Sequence, residues 1–402
     1  MAASSRPMFW IMLSAALILA LSLGTRHGFG LFLPPMSAEF GWGREVFAFA
    51  IALQNLIWGL AQPFAGALAD RFGAIRTVIV GGILYAIGLV LMGFADSPWS
   101  LSLSAGLLIG IGLSGTSFSV ILGVVGRAVP VEKRSMAMGI AAAAGSFGQF
   151  AMLPGTLGLI GWLGWSAALL VLGLMVALIV PLAGMLRDRP QPVQAHEQTL
   201  TEAVREAVGH SGFWLLSLGF FVCGFQVVFI GVHLPAYLVD QHLPATVGTT
   251  VLALVGLFNV FGTYIAGWLG GRMSKPRLLT WLYLARAVVI TAFVFTPLTL
   301  WTAYAFGVAM GLLWLSTVPL TNGTVATLFG VRNLSMLGGI VFLFHQLGAF
   351  LGGWLGGYLY DSTGSYQLVW QLSILLSLIA AVLNWPVREK PVARLQAAGP
   401  AA

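Results

Sequence analysis

The sequence predicts an all-α membrane protein whose twelve transmembrane helices form two related bundles of six. Only 8% of the 402 residues are charged, whereas 58% are hydrophobic. Soluble domains average about 25% charged residues, so a chain this poor in charge needs lipid as its solvent. Twelve apolar runs predict the number of helices, and an internal repeat with a period of half the chain predicts the two bundles.

Mostly apolar runs alternate with polar breaks along the chain, and a helix needs about 20 such residues to cross the hydrocarbon core. The predicted spans cover residues 8–36, 46–68, 75–95, 99–126, 135–160, 163–186, 213–237, 246–270, 277–297, 300–327, 334–360 and 366–387. The longest polar interval is 187–212. We interpret it as a cytoplasmic linker between an N-terminal bundle, 1–186, and a C-terminal bundle, 213–402.

Lysine and arginine set the predicted orientation, because cytoplasmic loops are enriched in both. With the N-terminus in the cytoplasm, cytoplasmic segments carry 16 of the 19 Lys and Arg residues, and the outer loops carry only Arg44. An even number of spans then places the C-terminus in the cytoplasm as well. The remaining two, Arg26 and Arg286, lie inside predicted spans.

The net charge of +7 follows from this loop asymmetry. No Lys/Arg stripe with interleaved aromatic residues is present, so nucleic acid is not an expected partner. Membrane lipids are expected partners, the bacterial cytoplasmic membrane is the expected location, and we expect a monomer.

The two halves are related by a shift of 201 residues. The segment 30–34, GLFLP, matches 231–235, GVHLP, and 66–71, GALADR, matches 267–272, GWLGGR. One shift aligns features that lie 36 residues apart. Parallel repeats of six spans are typical of transporters whose solute site lies near the midplane, at the interface between the halves.

The segment 66–76, GALADRFGAIR, follows the second predicted span. It resembles the loop motif of the major facilitator superfamily, G-x-L-x-D-R-x-G-x-x-R, and the resemblance extends over nearly the whole chain. It implies the major facilitator fold, in which the first, fourth, seventh and tenth helices line a central cavity. It also implies that Asp70 holds an inner gate shut by contacting the neighbouring half, and Arg71 and Arg76 are candidate gate residues beside it.

Within that superfamily, the chain looks most like bacterial relatives of the monocarboxylate and oxalate/formate carriers. The segments that carry this resemblance are 30–36, GLFLPPM, 259–262, NVFG, and 361–366, DSTGSY. It implies transport of a small organic anion, with a proton or in exchange. Oxalate-type relatives tend to place a substrate-binding arginine where this chain has Thr263, and that departure argues against a dicarboxylate clamp.

All twelve Asp and Glu residues fall in loops, at termini or at helix ends, so the charge predicted inside the membrane is purely basic. A charge in the bilayer core costs about 2.5 kcal/mol even on mild scales, which makes each embedded ionisable residue a functional candidate. Arg26 and Arg286 have no embedded carboxylate partner in the sequence. The missing anion is then the carboxylate of a substrate.

Two roles are open to each embedded arginine. Arg26 either binds a substrate carboxylate through paired hydrogen bonds or extends to the outer water and to backbone carbonyls. Arg286 either completes a cationic site or anchors neighbouring helices through hydrogen bonds.

Three histidines are candidates for carrying a coupled proton, because an imidazole titrates near neutral pH. They are His27, His233 and His345. Uncharged polar residues in the spans are either cavity lining or hydrogen-bonding contacts between helices. The full set of predicted substrate-binding residues is Arg26, His27, Asn55, Gln149, Gln226, Asn259, Arg286, Trp314, His345 and Gln346.

The sequence therefore predicts a secondary transporter that moves a small organic anion, specifically a monocarboxylate, with protons as the candidate coupling ion. The alternative is an exporter of amphipathic or drug-like compounds, which the many aromatic residues fit. Against it, the run from Gly139 to Gly148 contains no proline, so the fifth span lacks a glycine–proline exporter signature. No nucleotide-binding loop, no H-E-x-x-H motif and no embedded carboxylate pair is present, so we expect no enzyme, no cofactor and no metal site.

Overall fold

Helices make up nearly all of the chain in the computed structural model, which describes residues 5–42, 44–186 and 198–397. The first half contains α1 Ser5–His27, a 3-10 turn Phe29–Phe32, α2 Leu33–Phe40, α3 Arg44–Phe72, α4 Ala74–Gly93, α5 Pro98–Leu101, a π-helical stretch Ser102–Leu108, α6 Ile109–Thr116, α7 Phe118–Ala128, α8 Val131–Leu163, α9 Trp165–Ala177 and α10 Ile179–Ala183. The second half contains α11 Leu200–Val208, α12 Ser211–Asp240, α13 Ala245–Gly270, α14 Lys275–Phe295, α15 Leu300–Leu313, α16 Thr317–Phe329, α17 Leu334–Thr363, α18 Gln367–Asn384 and α19 Ala393–Ala397.

Within the described residues, eleven stretches are long and apolar enough to cross a membrane. They are Met8–Phe40, Ala74–Gly93, Pro98–Ala128, Val131–Leu163, Trp165–Ala183, Ser211–Asp240, Thr246–Gly270, Lys275–Phe295, Leu300–Phe329, Leu334–Tyr360 and Gln367–Asn384. The predicted span 46–68 lies on α3, a helix of 29 residues, which is not among the eleven stretches found in the described residues. The all-helical membrane fold is confirmed, and the count of twelve and the cytoplasmic termini stay predictions.

Large apolar side chains point away from the protein on many of these helices. Phe64 is 72% exposed, Trp162 82% and Val382 71%. In water such surfaces would carry a hydrophobic penalty of about 25 cal/mol for each Å². Lipid removes that penalty, so the exposed faces agree with the membrane placement drawn from composition.

Two predicted spans are each interrupted near the same place in the repeat. Ser117 has an extended backbone, φ −104° and ψ −171°, and separates α6 from α7. Residues 314–316 separate α15 from α16. Pro319 helps to explain the second break, because its ring has no N–H to donate to the carbonyl of Leu315. That carbonyl instead accepts a hydrogen bond of 2.9 Å from the N–H of Val318.

The chain divides into two compact units. Unit 1 comprises Met1–Pro130, Ala144–Glu197 and Arg332–Gly339, and unit 2 comprises Val131–Ala143, Gln198–Val331 and Ile340–Ala402. Residues 187–197 of the predicted linker lie outside the described residues, and the rest of the linker contains α11.

Candidate functional site

Arg26 lies in the last turn of α1, where an amide and an aromatic ring contact its guanidinium group. The Oδ1 atom of Asn55 accepts a hydrogen bond from Arg26 Nη2, and the guanidinium carbon is 5.1 Å from the centre of the Trp58 ring. Arg26 Nε is buried and has no hydrogen-bond partner in the described part of the chain. No ion pair found among the described residues includes Arg26. The cation therefore retains a donor for an incoming anion.

Trp58 connects this cation to the break between α6 and α7. Its indole Nε1 donates to Gln62 Oε1 at 2.9 Å and to Ser117 Oγ at 3.1 Å. Gln62 Nε2 donates in turn to the carbonyl of Ser114 at 2.8 Å. Sequence reasoning missed Trp58, Gln62 and Ser117. Trp58 lies three positions after Asn55, and Gln62 lies four positions after Trp58 on the same helix, and this spacing was the available signal for these two residues.

His27 and Gln149 are the other predicted lining residues of unit 1. His27 is half-buried, and its Nδ1 lies 2.7 Å from the carbonyl of Leu23 on its own helix. Gln149 is only 4% exposed, and its Nε2 has no hydrogen-bond partner among the described residues. Gln149 lies beside Gly148, which packs so closely on Ala20 of α1 that an added Cβ would clash with the Ala20 backbone. His27 on α1 and Gln149 on α8 therefore lie on two helices that are in contact.

Arg286 is fully buried in unit 2, and backbone carbonyls satisfy its guanidinium. Nη2 donates to the carbonyl of Leu313 at 2.6 Å and to the carbonyl of Trp314, and Nε donates to Leu313 at 3.2 Å. These carbonyls end α15, where the helix dipole is negative. Nη1 donates to Gln226 Oε1 at 3.2 Å. The arginine therefore holds the end of a helix, which is the anchoring role that the sequence left open.

Asn259 holds the other side of the same break. Its Oδ1 accepts a hydrogen bond of 2.9 Å from the N–H of Leu315. Trp314, whose carbonyl accepts from Arg286, is 6% exposed. The amide nitrogen of Gln226 contacts α18, where Nε2 donates to the carbonyl of Ser373 at 3.0 Å. The structure thus brings Arg286, Asn259, Trp314 and Gln226 together around the α15–α16 break.

His345 and Gln346 lie next to each other on α17. His345 Nδ1 is 3.1 Å from Gln346 Oε1, and its ring stacks on Phe342 with 5.3 Å between centroids and an interplanar angle of 9°. His345 is only 7% exposed. His233 lies apart from this pair, with Nε2 at 2.8 Å from the carbonyl of Gly353.

Asp70 lies near the C-terminal end of α3 and is surrounded by donors within unit 1. Its Oδ1 pairs with Arg127 Nη1 at 2.7 Å, and its Oδ2 accepts from the N–H of Met336 at 2.8 Å. The N–H of Ser335 reaches Oδ1 at 3.3 Å. Ser335 and Met336 open α17, so the carboxylate sits at the positive end of a helix dipole. We call Asp70, Arg127, Ser335 and Met336 the latch.

Burial raises the pKa of Asp70 to about 6, although Arg127 and the two N–H groups act in the opposite direction. The sequence missed Arg127 and instead proposed Arg71 and Arg76 beside Asp70. In the structure Arg71 lies over the ring of Phe72 at 5.2 Å, and Arg76 is exposed. The cation that pairs with Asp70 comes from the end of α7, 57 positions away, and no local spacing indicates it.

A family model described as Major Facilitator Superfamily matches residues 12–330. The chain belongs to the major facilitator superfamily. The superfamily is one of membrane transporters, so this chain is a membrane transporter. Asp70 of the latch is the carboxylate of the superfamily loop motif that the sequence identified at 66–76.

Individual relatives agree with this membership. The uncharacterized MFS-type transporter YcxA of Bacillus subtilis (strain 168) is 25% identical over 403 residues and covers 95% of both chains. Monocarboxylate transporter 11 of Mus musculus is 29% identical over 374 residues, which are 89% of this chain and 82% of the mouse protein. The fucose:proton symporter FucP of E. coli has a similar fold, with a TM-score of 0.72, 14% identity and coverage of 95% and 98%.

Proposed function

We propose that this superfamily member is a secondary transporter that moves a small monocarboxylate across the bacterial cytoplasmic membrane, coupled to protons. The observation that carries the proposal is Arg26. It is an embedded cation that contacts an amide and an indole ring, has a buried unpartnered Nε, and takes part in none of the ion pairs of the described residues. A carboxylate can accept two parallel hydrogen bonds from a guanidinium, which makes it the fitting ligand.

The state of the second embedded arginine supports one carboxylate rather than two. Arg286 donates to two carbonyls and to Gln226, so its donors are already engaged inside unit 2. Thr263 adds no charge either, because its hydroxyl donates at 2.8 Å to the carbonyl of Asn259. One available cation matches one negative charge on the substrate. The name of the mouse relative, a monocarboxylate transporter, points to the same class.

Proton coupling is proposed through His27 or His345. His27 adjoins Arg26 in the sequence, so a proton on His27 and a carboxylate on Arg26 would influence each other directly. His345 is buried in unit 2 against two aromatic rings. His233 is the third candidate, and its ring is held between Gly353 and Tyr366.

Transport by alternating access is proposed, in which the halves rock about the bound substrate. The latch around Asp70 would hold one state of that cycle. The positive-inside distribution and the bacterial relative support the cytoplasmic membrane as the location.

The deciding experiment is uptake by proteoliposomes that contain the purified protein. Radiolabelled acetate, lactate and pyruvate are compared with oxalate and with an amphipathic cation, at imposed pH gradients of either sign. We expect saturable uptake of at least one monocarboxylate, faster when the outside is acidic, and no uptake of oxalate or the cation.

Variants of two arginines then test the site. Arg26→Ala is expected to reduce monocarboxylate uptake at least about tenfold, because removing one partner of a paired ion contact costs several kcal/mol. Arg272→Ala is the matched control, since Arg272 lies over the ring of Trp268 outside the proposed site. Uptake by Arg26→Ala equal to that of the wild type would reject Arg26 as the substrate contact.

A further inference from the structure

Trp58 is a buried aromatic residue beside the proposed substrate cation, and its ring face is turned to that cation. It is 4% exposed and lies one helical turn after Asn55 on α3. The separation of 5.1 Å between the Arg26 guanidinium carbon and the Trp58 ring centre is within the range of a cation–π interaction. Tryptophan gives the strongest such interaction of the aromatic side chains. Beside this ring, Arg26 Nε has no hydrogen-bond partner among the described residues.

The plane of that ring is fixed by hydrogen bonds at its other end. The indole N–H is shared between Gln62 Oε1 and Ser117 Oγ, and Ser117 Oγ itself donates to Gln62 Oε1 at 2.7 Å. All three side chains are buried, so breaking this triangle leaves polar atoms without water to replace the lost partners. A rotation of the indole would break it, and therefore the ring orientation is coupled to the backbone at Ser117.

Ser117 is the single extended residue between α6 and α7. A change in the angle between α6 and α7 would move the Ser117 hydroxyl, which accepts the hydrogen bond of the Trp58 indole. The hydrogen bonds among Trp58, Gln62 and Ser117 therefore couple the indole to this break. The polar connection thus runs from a break in a membrane helix, through Trp58, to the cation. Asn55 holds the same cation from one turn earlier on α3.

We propose that Trp58 is a positioning residue for the substrate. Its ring face orients the Arg26 guanidinium for the carboxylate, and its N–H ties that orientation to the α6–α7 break at Ser117. The inference rests on the proposed function, since it concerns the same cation. It adds that affinity for the anion depends on the ring and that turnover depends on the N–H.

Three variants separate the ring from the N–H in the proteoliposome uptake assay. Trp58→Leu removes both and is expected to raise the KM for the transported monocarboxylate about tenfold, the equivalent of a cation–π contact in a desolvated site. Trp58→Phe keeps a ring but no donor, so its KM should change less than about threefold while the maximal rate falls. Ser117→Ala removes one of the two acceptors of that N–H, and the one at the α6–α7 break, so it should lower the maximal rate in the same direction as Trp58→Phe. Trp10→Leu is the control, because Trp10 lies on α1 and is 45% exposed.

A second measurement does not need a transported substrate. Arginine modification by 2,3-butanedione is followed at Arg26 by peptide mass spectrometry. Because the indole covers the guanidinium, Trp58→Leu is expected to increase the modification rate at least about fivefold, whereas Trp58→Phe and Trp10→Leu stay near the wild-type rate.

The two readouts keep the inference separate from the proposed function. If the wild type transports no monocarboxylate but Arg26 becomes more reactive in Trp58→Leu, the proposed function fails and the positioning of Arg26 by Trp58 stands. If Trp58→Leu changes neither the KM nor the reactivity of Arg26, the inference is overturned. Should Trp58→Leu not fold, wild-type turnover in both Trp58→Phe and Ser117→Ala overturns it equally.

Discussion

Two embedded arginines of this transporter have opposite surroundings, and the difference lies in what accepts their hydrogen bonds. Arg286 is fully buried and donates to the carbonyls that end α15. Arg26 contacts an amide oxygen and an indole ring and keeps a buried Nε without a partner. An arginine whose donors are satisfied by the fold stabilises structure, whereas one with a spare donor is available for a ligand.

Arg286→Met tests the structural half of this contrast. The substitution leaves the carbonyls of Leu313 and Trp314 without their charged donor, and each buried unsatisfied group costs about 1–3 kcal/mol. We expect the detergent-solubilised protein to melt several degrees lower, whereas Arg26→Met should change the melting temperature little and lose uptake instead. Thermal unfolding of the two variants side by side is the measurement. Equal melting temperatures would show that Arg286 does not anchor the break.

Asp70 gives a pH-dependent prediction at the same scale. Its pKa is raised from 3.8 to about 6 by burial, so the folded protein holds a proton in a range where the unfolded chain has released it. This contribution to the free energy of unfolding is fully present below about pH 4, is lost as the pH rises through about 6 and is absent near pH 8. Each unit by which the pKa of Asp70 differs between the folded and unfolded chain corresponds to about 1.4 kcal/mol in the free energy of unfolding.

Asp70→Asn removes that titration and is the reference protein. We expect the melting temperature of the wild type, minus that of Asp70→Asn, to fall between about pH 4 and pH 7 and then to level off. Subtraction cancels the titration of every other group that the two proteins share. A difference that stays constant over this range, or rises, would contradict a raised pKa at Asp70.

One face of α3 connects the residues discussed above. Asn55, Trp58, Gln62, Gly66 and Asp70 recur every three or four positions, which places them on one side of a helix. They extend over about 22 Å at the helical rise of 1.5 Å for each residue. The Arg26 contacts lie at one end of this face and the latch at the other. A tilt of α3 would therefore change the surroundings of the cation and of Asp70 together.

Gly66 is the position on this face where the helix approaches another backbone. A Cβ added there would lie 2.2 Å from the carbonyl oxygen of Ser335. Since a backbone carbonyl cannot give way as a flexible side chain does, Gly66→Ala should push the start of α17 away from α3 and open the latch. We expect uptake to fall at least about tenfold, as for other overpacked contacts, with a lower melting temperature.

Gly155→Ala is the control for this substitution, because a Cβ at Gly155 meets nothing within 4 Å. Both substitutions place alanine in a long helix and raise helix propensity equally. Uptake and melting temperature of Gly155→Ala should match those of the wild type. If Gly66→Ala behaves like Gly155→Ala, the close approach at Ser335 does not govern the latch.

The helices were largely predictable because lipid imposes long apolar runs, and a hydropathy pattern records them directly. Their interruptions were not. The break at Ser117 involves a hydroxyl and the side chains of Trp58 and Gln62, which lie more than 50 positions earlier. Arg26 and Asp70 stood out in the sequence as ionisable groups in unusual places, and their roles stay predictions. Trp58 did not stand out, since one tryptophan among 14 acquires a role only through its distance from a cation.

Across the whole molecule, the duplicated scaffold carries different chemistry in its two halves. Both halves interrupt a span near the same place in the repeat, at Ser117 and at residues 314–316. In the first half, neutral side chains of Gln62 and Trp58 hold the break, and in the second half a cation holds it. The cation near the first break is thereby left for a ligand. Duplication therefore conserved a mechanical feature, while the means of stabilising it diverged.

The number of spans is the property of the whole molecule on which the positive-inside argument depends, and α3 decides it. An even count requires α3 to cross the membrane in addition to the eleven candidate spans found among the described residues. If it crosses, Trp42 before it faces outward and Arg76 after it faces the cytoplasm. Single cysteines at these positions, in a Cys223→Ser background that removes the only native cysteine, test this directly.

A membrane-impermeant maleimide added to intact cells should label Trp42→Cys and spare Arg76→Cys, and both should react after the cells are broken. The burial of the polar side chains of α3 is the reason to expect that this helix crosses the membrane. Asn55, Trp58 and Gln62 are buried, so the polar groups of α3 do not face the hydrocarbon, whereas the apolar Phe64 and Leu68 on the same helix are exposed. Equal labelling of both cysteines in intact cells would place the two ends of α3 on one side. The chain would then have an odd number of spans, and its C-terminus would lie outside the cytoplasm.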